Sequence, residues 1–164
     1  MCGIIAYVGD KPSAGKILFE GLHTLEYRGY DSSGIALLNE RNNFKVFKKK
    51  GIVKVAEKKF LKEKLNSKIG IGHTRWATHG EPNNKNSHPI LSHSKNFAIV
   101  HNGIIENYSS LKQILLEKGY EFKTDTDTEV LINYIEEIYK KSDLNFENAL
   151  STALRKIKGA FAIA

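Results

Sequence analysis

One cysteine, Cys2, stands directly behind the initiator methionine and leads at once into the apolar run Gly3-Ile4-Ile5-Ala6-Tyr7-Val8, which Gly9-Asp10 closes. A short apolar run bounded by turn residues reads as a buried strand. The fold must therefore open on a strand whose neighbour is a thiol, and any chemistry of that thiol sits at a sheet edge. Removal of Met1 puts the thiol and a free α-amine on one residue. An α-amine titrates at roughly 7.7 to 8.0 and a thiol at roughly 8.5, so near neutral pH the amine can take the thiol proton. Cys2 is then a nucleophile carrying its own base, able to do acyl transfer without a partner histidine. Position 2 alone is equally compatible with a cysteine of no consequence.

The 164 residues fit one domain, and 41% hydrophobic content is enough to bury a core. Lys+Arg 25 against Asp+Glu 18 gives +7 and a pI near 9.4, which invites a nucleic-acid reading. The distribution argues against it. Much of the excess lies in Lys48-Lys49-Lys50 and in 57–64, where acids are interspersed and no aromatic platform recurs, so a solvated face is expected and no nucleic-acid partner. One cysteine builds no intramolecular disulfide, and there is no CxxC or Cys/His ligand spacing, which suits a reducing compartment. The start lacks a basic leader and its apolar run is too short to span a bilayer. The expectation is a cytoplasmic protein with no membrane contact.

Ser13 reads as the cap of a helix over 13–27, with Ile17, Leu18, Leu22 and Leu25 on one face and Gly29 ending it. Residues 33–39 and 44–49 read as a hairpin, 53–65 as a lysine-rich amphipathic helix, and 69–75 and 97–101 as strands around a polar loop. Asn107 is placed to cap a helix stopped by Gly119, Thr126 or Asp127 to start another, and 146–157 to form a third. The chain then stops inside the apolar run 159–164, which reads as a strand cut from a longer protein, because so apolar an edge invites aggregation.

Three segments place polar groups at the ends of apolar strands. In Gly72-His73-Thr74-Arg75-Trp76-Ala77-Thr78-His79-Gly80, the Arg75 fork can hold a carboxylate bidentately, with Thr78 and His79 as nearby donors. The same residues also fit an internal ion pair of Arg75 with Trp76 filling core. In Val100-His101-Asn102-Gly103, the Asn102 amide and the Gly103 N–H can aim two donors at one oxyanion, although Asn-Gly is also a turn signal. In Thr124-Asp125-Thr126-Asp127-Thr128-Glu129, carboxylates gather at a helix start, where capping explains any single one. No calcium loop follows, and His73, His79, His88, His93 and His101 lack zinc spacing, so no metal is expected.

Together with Tyr27-Arg28-Gly29-Tyr30-Asp31-Ser32-Ser33-Gly34, these segments resemble the N-terminal glutaminase domain of the glutamine–fructose-6-phosphate aminotransferase family (glucosamine-6-phosphate synthases), which are class II glutamine amidotransferases. The resemblance runs from Cys2 to the end of the chain and is most specific at 27–34 and 73–80. It implies an α+β fold, the four-layer αββα sandwich of N-terminal-nucleophile hydrolases, incomplete at its C-terminus. It implies one glutaminase domain over 1–164, itself incomplete, without the C-terminal sugar-phosphate isomerase domains.

The same resemblance implies that Cys2 attacks the glutamine side-chain amide with its own α-amine as base, that Asn102 and Gly103 form the oxyanion hole, and that Arg75 and Asp127 hold the α-carboxylate and α-ammonium. Trp76, Thr78 and His79 would lie on the loop closing over glutamine, and Arg28 would help order the site. The charge logic agrees: a zwitterionic amino acid needs one fixed cation and one fixed anion with the reacting amide beyond them. The implied partners are glutamine and, through the missing domains, fructose 6-phosphate, in a homo-oligomeric full-length enzyme without a cofactor. A retained Met1 would turn the α-amine into an amide nitrogen and leave the chain inert. The competing expectations are the glutaminase half of an amidophosphoribosyltransferase or asparagine synthetase, and a non-catalytic module using the +7 charge.

Overall fold

The computed structural model describes residues 2–63, 65–77 and 80–164. Four strands, β1 (Gly3–Val8), β2 (Ser32–Leu38), β3 (Phe44–Lys50) and β4 (Ile69–Arg75), form an antiparallel sheet in the order β1-β4-β2-β3. β1 is an edge strand, as a thiol at a sheet margin requires. Pairing sets Gly3 opposite Thr74 and Ile4 opposite His73, so the start of β1 meets the end of β4.

Side chains alternate between the two faces of a strand, and β4 uses both. Gly70 and Gly72 lie beneath Leu18 and Leu22 of helix α1 (Ala14–Leu25), and the Thr74 hydroxyl donates to Leu25 O at 3.4 Å. His73 and Arg75 therefore leave from the opposite face. On the helical side, Leu18, Phe19 and Leu22 pack with Ile35, Leu37 and Phe47 of the sheet and with Val53, Ala56 and Phe60 of α2 (Val53–Glu63). Their burial is the main stabilisation of this half, at about 2 kcal/mol for each large side chain.

The remaining elements are β5 (Ile90–Leu91), β6 (Ala98–Ile99), β7 (His101–Gly103), α3 (Tyr108–Glu117), α4 (Asp127–Lys141), α5 (Phe146–Leu154) and β8 (Phe161–Ile163). The strand expected over 97–101 is instead two short strands, because the chain changes partner at Val100. Before it β6 pairs with β5, after it β7 pairs with β8, and Val100 exchanges both backbone bonds with Ala164. Ile99, Ile105, Leu115, Val130, Leu131 and Ile132 form the second core beneath α3, α4 and α5. The order α1/α2, large sheet, small sheets, α3–α5 is the expected αββα arrangement of an α+β fold.

Several expected caps act differently. Ser13 sits at the N-cap of α1 without a side-chain cap bond, and α1 gives way after Leu25 to a single 3-10 turn rather than running to 27. Glu26 in that turn accepts the Val53 N–H at 2.6 Å, so it caps α2 from a distance. Asn107 precedes α3, but its amide bonds Lys156 O and the Lys158 N–H, tying two loops together. Thr126 caps α4 as expected, accepting from the Glu129 N–H, and Glu129 reaches back to the Lys123 and Thr124 N–H groups. α2 is described to Glu63, and α5 ends at Leu154, short of 157.

The two halves are joined where the 85–89 segment lies on the large sheet. A Cβ at Gly34 would come 2.5 Å from His88 O, so that approach requires glycine. The Lys48 ammonium donates to Ser87 O at 2.6 Å, Pro89 O at 3.1 Å and Lys85 O at 3.3 Å, although burial pushes its pKa down to about 8. A lysine that the sequence placed on a solvated face is thus a clamp. Lys48→Met should cost about 2–4 kcal/mol, because it leaves backbone carbonyls without donors. Urea unfolding should show this as a lower midpoint at an unchanged slope; an unchanged midpoint would show the clamp to be dispensable.

Candidate active site

One cavity of about 380 Å³ gathers the residue before β1, the 3-10 turn after α1, the end of β4, His88, β7 and the start of α4. Cys2, Arg28, Arg75, Trp76, Asn102 and Asp127 all line it. The Cys2 thiol accepts the Trp76 N–H at 3.1 Å and faces Trp76 O at 3.4 Å, and the Gly3 N–H donates to the Thr74 hydroxyl at 3.1 Å. The chain start is held on both sides by β4 and its continuation.

Arg75 is buried and donates through Nη2 to Gly80 O at 3.1 Å and through Nη1 to Glu81 O at 3.4 Å. It therefore anchors the backbone at Gly80 and Glu81. Burial lowers its pKa, while Cys2, Asp31 and Asp127 pull it upward, which places those acids within electrostatic range. Trp76 is 45% exposed and packs edge-on against Tyr30, so it does not fill core. Ala77 N–H donates to Asp31 at 2.8 Å, fixing the loop at its root. Thr78, His79 and Met1 lie outside the described residues.

Asn102 and Gly103 belong to strand β7, not to a tight turn. The Asn102 amide nitrogen donates to Cys2 O at 3.1 Å, and its oxygen faces His73 Nε2 at 2.9 Å. Gly103 has φ +120°, and a Cβ there would sit 2.2 Å from Ala160 O, so no other residue fits. Asp127, 4% exposed at the start of α4, accepts the Ile105 N–H at 2.8 Å. The cavity lining thus includes a buried cation, a buried anion, a thiol and an amide donor.

Two lining residues, His88 and His101, belong with His73 to a buried group that residue spacing did not reveal. His73, His88 and His101 are buried together, with His88 Nε2 and His101 Nδ1 both 2.9 Å from the Thr128 hydroxyl and the His73 and His88 rings 4.4 Å apart. They come from three separate segments. The usable signal was period two along β4, which puts 73 on the same face as 75. Asn86, also buried, was not singled out either; it bonds Glu81 O and both the carboxylate and the N–H of Asp125.

A profile of the glutamine amidotransferase domain matches residues 57–164. The chain belongs to the glutamine amidotransferase domain family. Within that family it is 52% identical over 163 residues to the glutamine–fructose-6-phosphate aminotransferase (isomerizing) of Clostridium perfringens, covering 99% of this chain and 26% of that protein. It is 48% identical over 164 residues to the enzyme of the same name from Bacteroides thetaiotaomicron, with 100% and 26% covered. The chain thus spans about a quarter of the length of the curated relatives it matches. Among solved structures, the glutamine phosphoribosylpyrophosphate amidotransferase of B. subtilis superposes with a TM-score of 0.81 at 30% identity, covering 99% of this chain and 34% of that one. A second, titled as the allosteric regulatory enzyme of purine biosynthesis, gives 0.83 at 31%, with the same shares covered. The amidotransferase fold is therefore shared across enzymes of different names.

Burial pushes the His73 imidazole down to about 4 and His88 well below the ordinary histidine value. The unfolded chain takes up these protons near pH 6.5, while folded His73 does not until about 4, so the unfolded state binds more protons between those values. Stability should fall on acidification through that window, His73 alone contributing about 3 kcal/mol. Urea midpoints from pH 7 to 4 should drop steeply for the parent and less steeply for His73→Gln; parallel profiles would refute the assignment.

Proposed function

We propose that the chain hydrolyses the side-chain amide of glutamine through a Cys2 glutamyl thioester, releasing glutamate and ammonia. The observation that carries this is the cavity itself, which Cys2, Asn102, Arg75 and Asp127 line together. With Met1 removed, the Cys2 α-amine takes the thiol proton and the thiolate attacks the carboxamide carbon. The Asn102 amide and the Gly103 N–H receive the oxyanion, and the same amine, now charged, protonates departing ammonia. Water then hydrolyses the thioester. Arg75 holds the substrate α-carboxylate and Asp127 its α-ammonium. Trp76, Thr78 and His79 close over the bound amino acid, and Arg28 orders the floor near the nucleophile.

In the whole enzyme the ammonia passes to fructose 6-phosphate and yields glucosamine 6-phosphate in C-terminal isomerase domains; residues 1–164 are part of the glutaminase domain. Support comes from relatives at 48–52% identity whose name states that aminotransfer, against 30% for the phosphoribosylpyrophosphate amidotransferase. A phosphoribosyl or aspartyl acceptor is the weaker reading. The setting is the cytoplasm and the full-length assembly a homo-oligomer. Among the described residues no helix is long and apolar enough to cross a membrane.

Glutamate release by methionine-processed protein should vanish in Cys2→Ala and on acetylation of the α-amine. Activity surviving acetylation would remove the amine from the mechanism. Arg75→Lys should raise KM for glutamine about 10- to 100-fold with a smaller change in kcat, since a point charge replaces a bidentate fork. An unchanged KM would place the carboxylate elsewhere.

A further inference from the structure

We infer that His73 is a positioning residue for the reaction: its Nε2–H holds the Asn102 carboxamide oxygen inward, so that the amide nitrogen faces Cys2 before substrate arrives. This rests on the glutaminase reading of Asn102 as an oxyanion donor, and it concerns what makes that side chain a donor at all.

An asparagine presents a donor and an acceptor of nearly equal size, and rotation by half a turn exchanges them. At the thiol only one of the two orientations stabilises an oxyanion. His73 Nε2 lies 2.9 Å from Asn102 Oδ1 and 3.1 Å from His101 O. The second of these is a backbone carbonyl, which can only accept, so Nε2 must carry the proton. With Nε2 a donor, the Asn102 atom facing it must be the oxygen. The far end gives the same answer independently, because the Asn102 atom 3.1 Å from Cys2 O must donate to that carbonyl. The flipped amide would set a lone pair against Cys2 O and an N–H against an N–H. Backbone carbonyls at both ends therefore determine the orientation.

The imidazole is well suited to the task. It is fully buried, leaves β4 on the same face as Arg75, and packs with its ring centroid 4.4 Å from that of His88, tilted by 43°, while the Thr128 hydroxyl holds His88 in turn. Its Nδ1 has no hydrogen-bond partner among the described residues, so nothing on that side competes for the single proton of the neutral ring. Burial keeps the ring neutral in the physiological range. His73 is not itself among the residues that line the cavity; it acts on the site through Asn102.

Glutaminase kinetics of methionine-processed protein test this with His73→Gln, His73→Asn, Asn102→Ala and the double variant His73→Asn/Asn102→Ala. Glutamine carries its amide N–H about where Nε2 lies, while asparagine reaches only the Nδ1 position. His73→Asn should lower kcat about 100-fold with KM changed less than about 3-fold, as for loss of an oxyanion donor. His73→Gln should recover kcat to within about 10-fold. On the Asn102→Ala background, His73→Asn should cost less than about 3-fold more. A full additional loss in the double variant, a loss confined to KM, or a His73→Gln as impaired as His73→Asn overturns the inference while leaving the role of Asn102 intact. An Asn102→Ala of normal kcat overturns the oxyanion reading itself. Imidazole 15N shifts of the unmutated protein provide a test independent of variant folding: an Nε2–H tautomer at His73 is expected, and an Nδ1–H tautomer sinks the proposal.

Discussion

The antiparallel pairing of β1 with β4 is the constraint on which the rest depends. Gly3 opposite Thr74 brings the residue before β1 against the residue after β4, and the Thr74 hydroxyl accepts the Gly3 N–H, so the thiol has a defined place. A slip of one residue would turn every side chain of β4 to the other face. His73 and Arg75 would then enter the helical core, and Thr74 would enter the cavity. Gly70 and Gly72 oppose that slip, because Leu18 and Leu22 of α1 lie directly over them.

From that pairing the site is assembled by bonds that cross between halves of the molecule. Lys48 clamps the 85–89 segment onto the large sheet, and that segment carries His88 to the ring of His73. Asn102 reaches from β7 to Cys2 O, while Thr128 in the first turn of α4 joins His88 and His101. Asp127, one residue earlier, holds the Ile105 N–H. The polar network therefore runs from β3 to α4 and supplies His88, His101, Asn102, Asp127 and Thr128 to the cavity lining. Each of these side chains has at least one hydrogen-bond partner, which offsets part of the cost of burial, although the Nδ1 atoms of His73 and His88 have none among the described residues.

Regular elements could be read from periodicity where one surface is buried and the other is not. β4 falls on the expected 69–75, and α4 begins at Asp127 behind a Thr126 cap. The hairpin of β2 and β3 is as expected within a residue at each end. Local pattern misled where a side chain chose a distant partner over its own helix. Asn107 serves Lys156 and Lys158, and Glu26 leaves its own helix to cap α2. No local pattern encodes such bonds, because they depend on which loops happen to meet. The strand expected over 97–101 divided at Val100 for a similar reason, its backbone groups being claimed by different neighbours on either side.

Chemical identity was in the order of residues: a thiol at position 2, an arginine fork ending one strand, an Asn-Gly ending another, acids opening a helix. Those functional groups and their strand-end positions follow from composition and spacing, which are properties of the chain. Which way Asn102 points, what Arg75 grips, that Trp76 is exposed and that three histidines are buried together came only with folding. These are matters of which donor faces which acceptor once water is gone, and a one-dimensional string does not contain those distances.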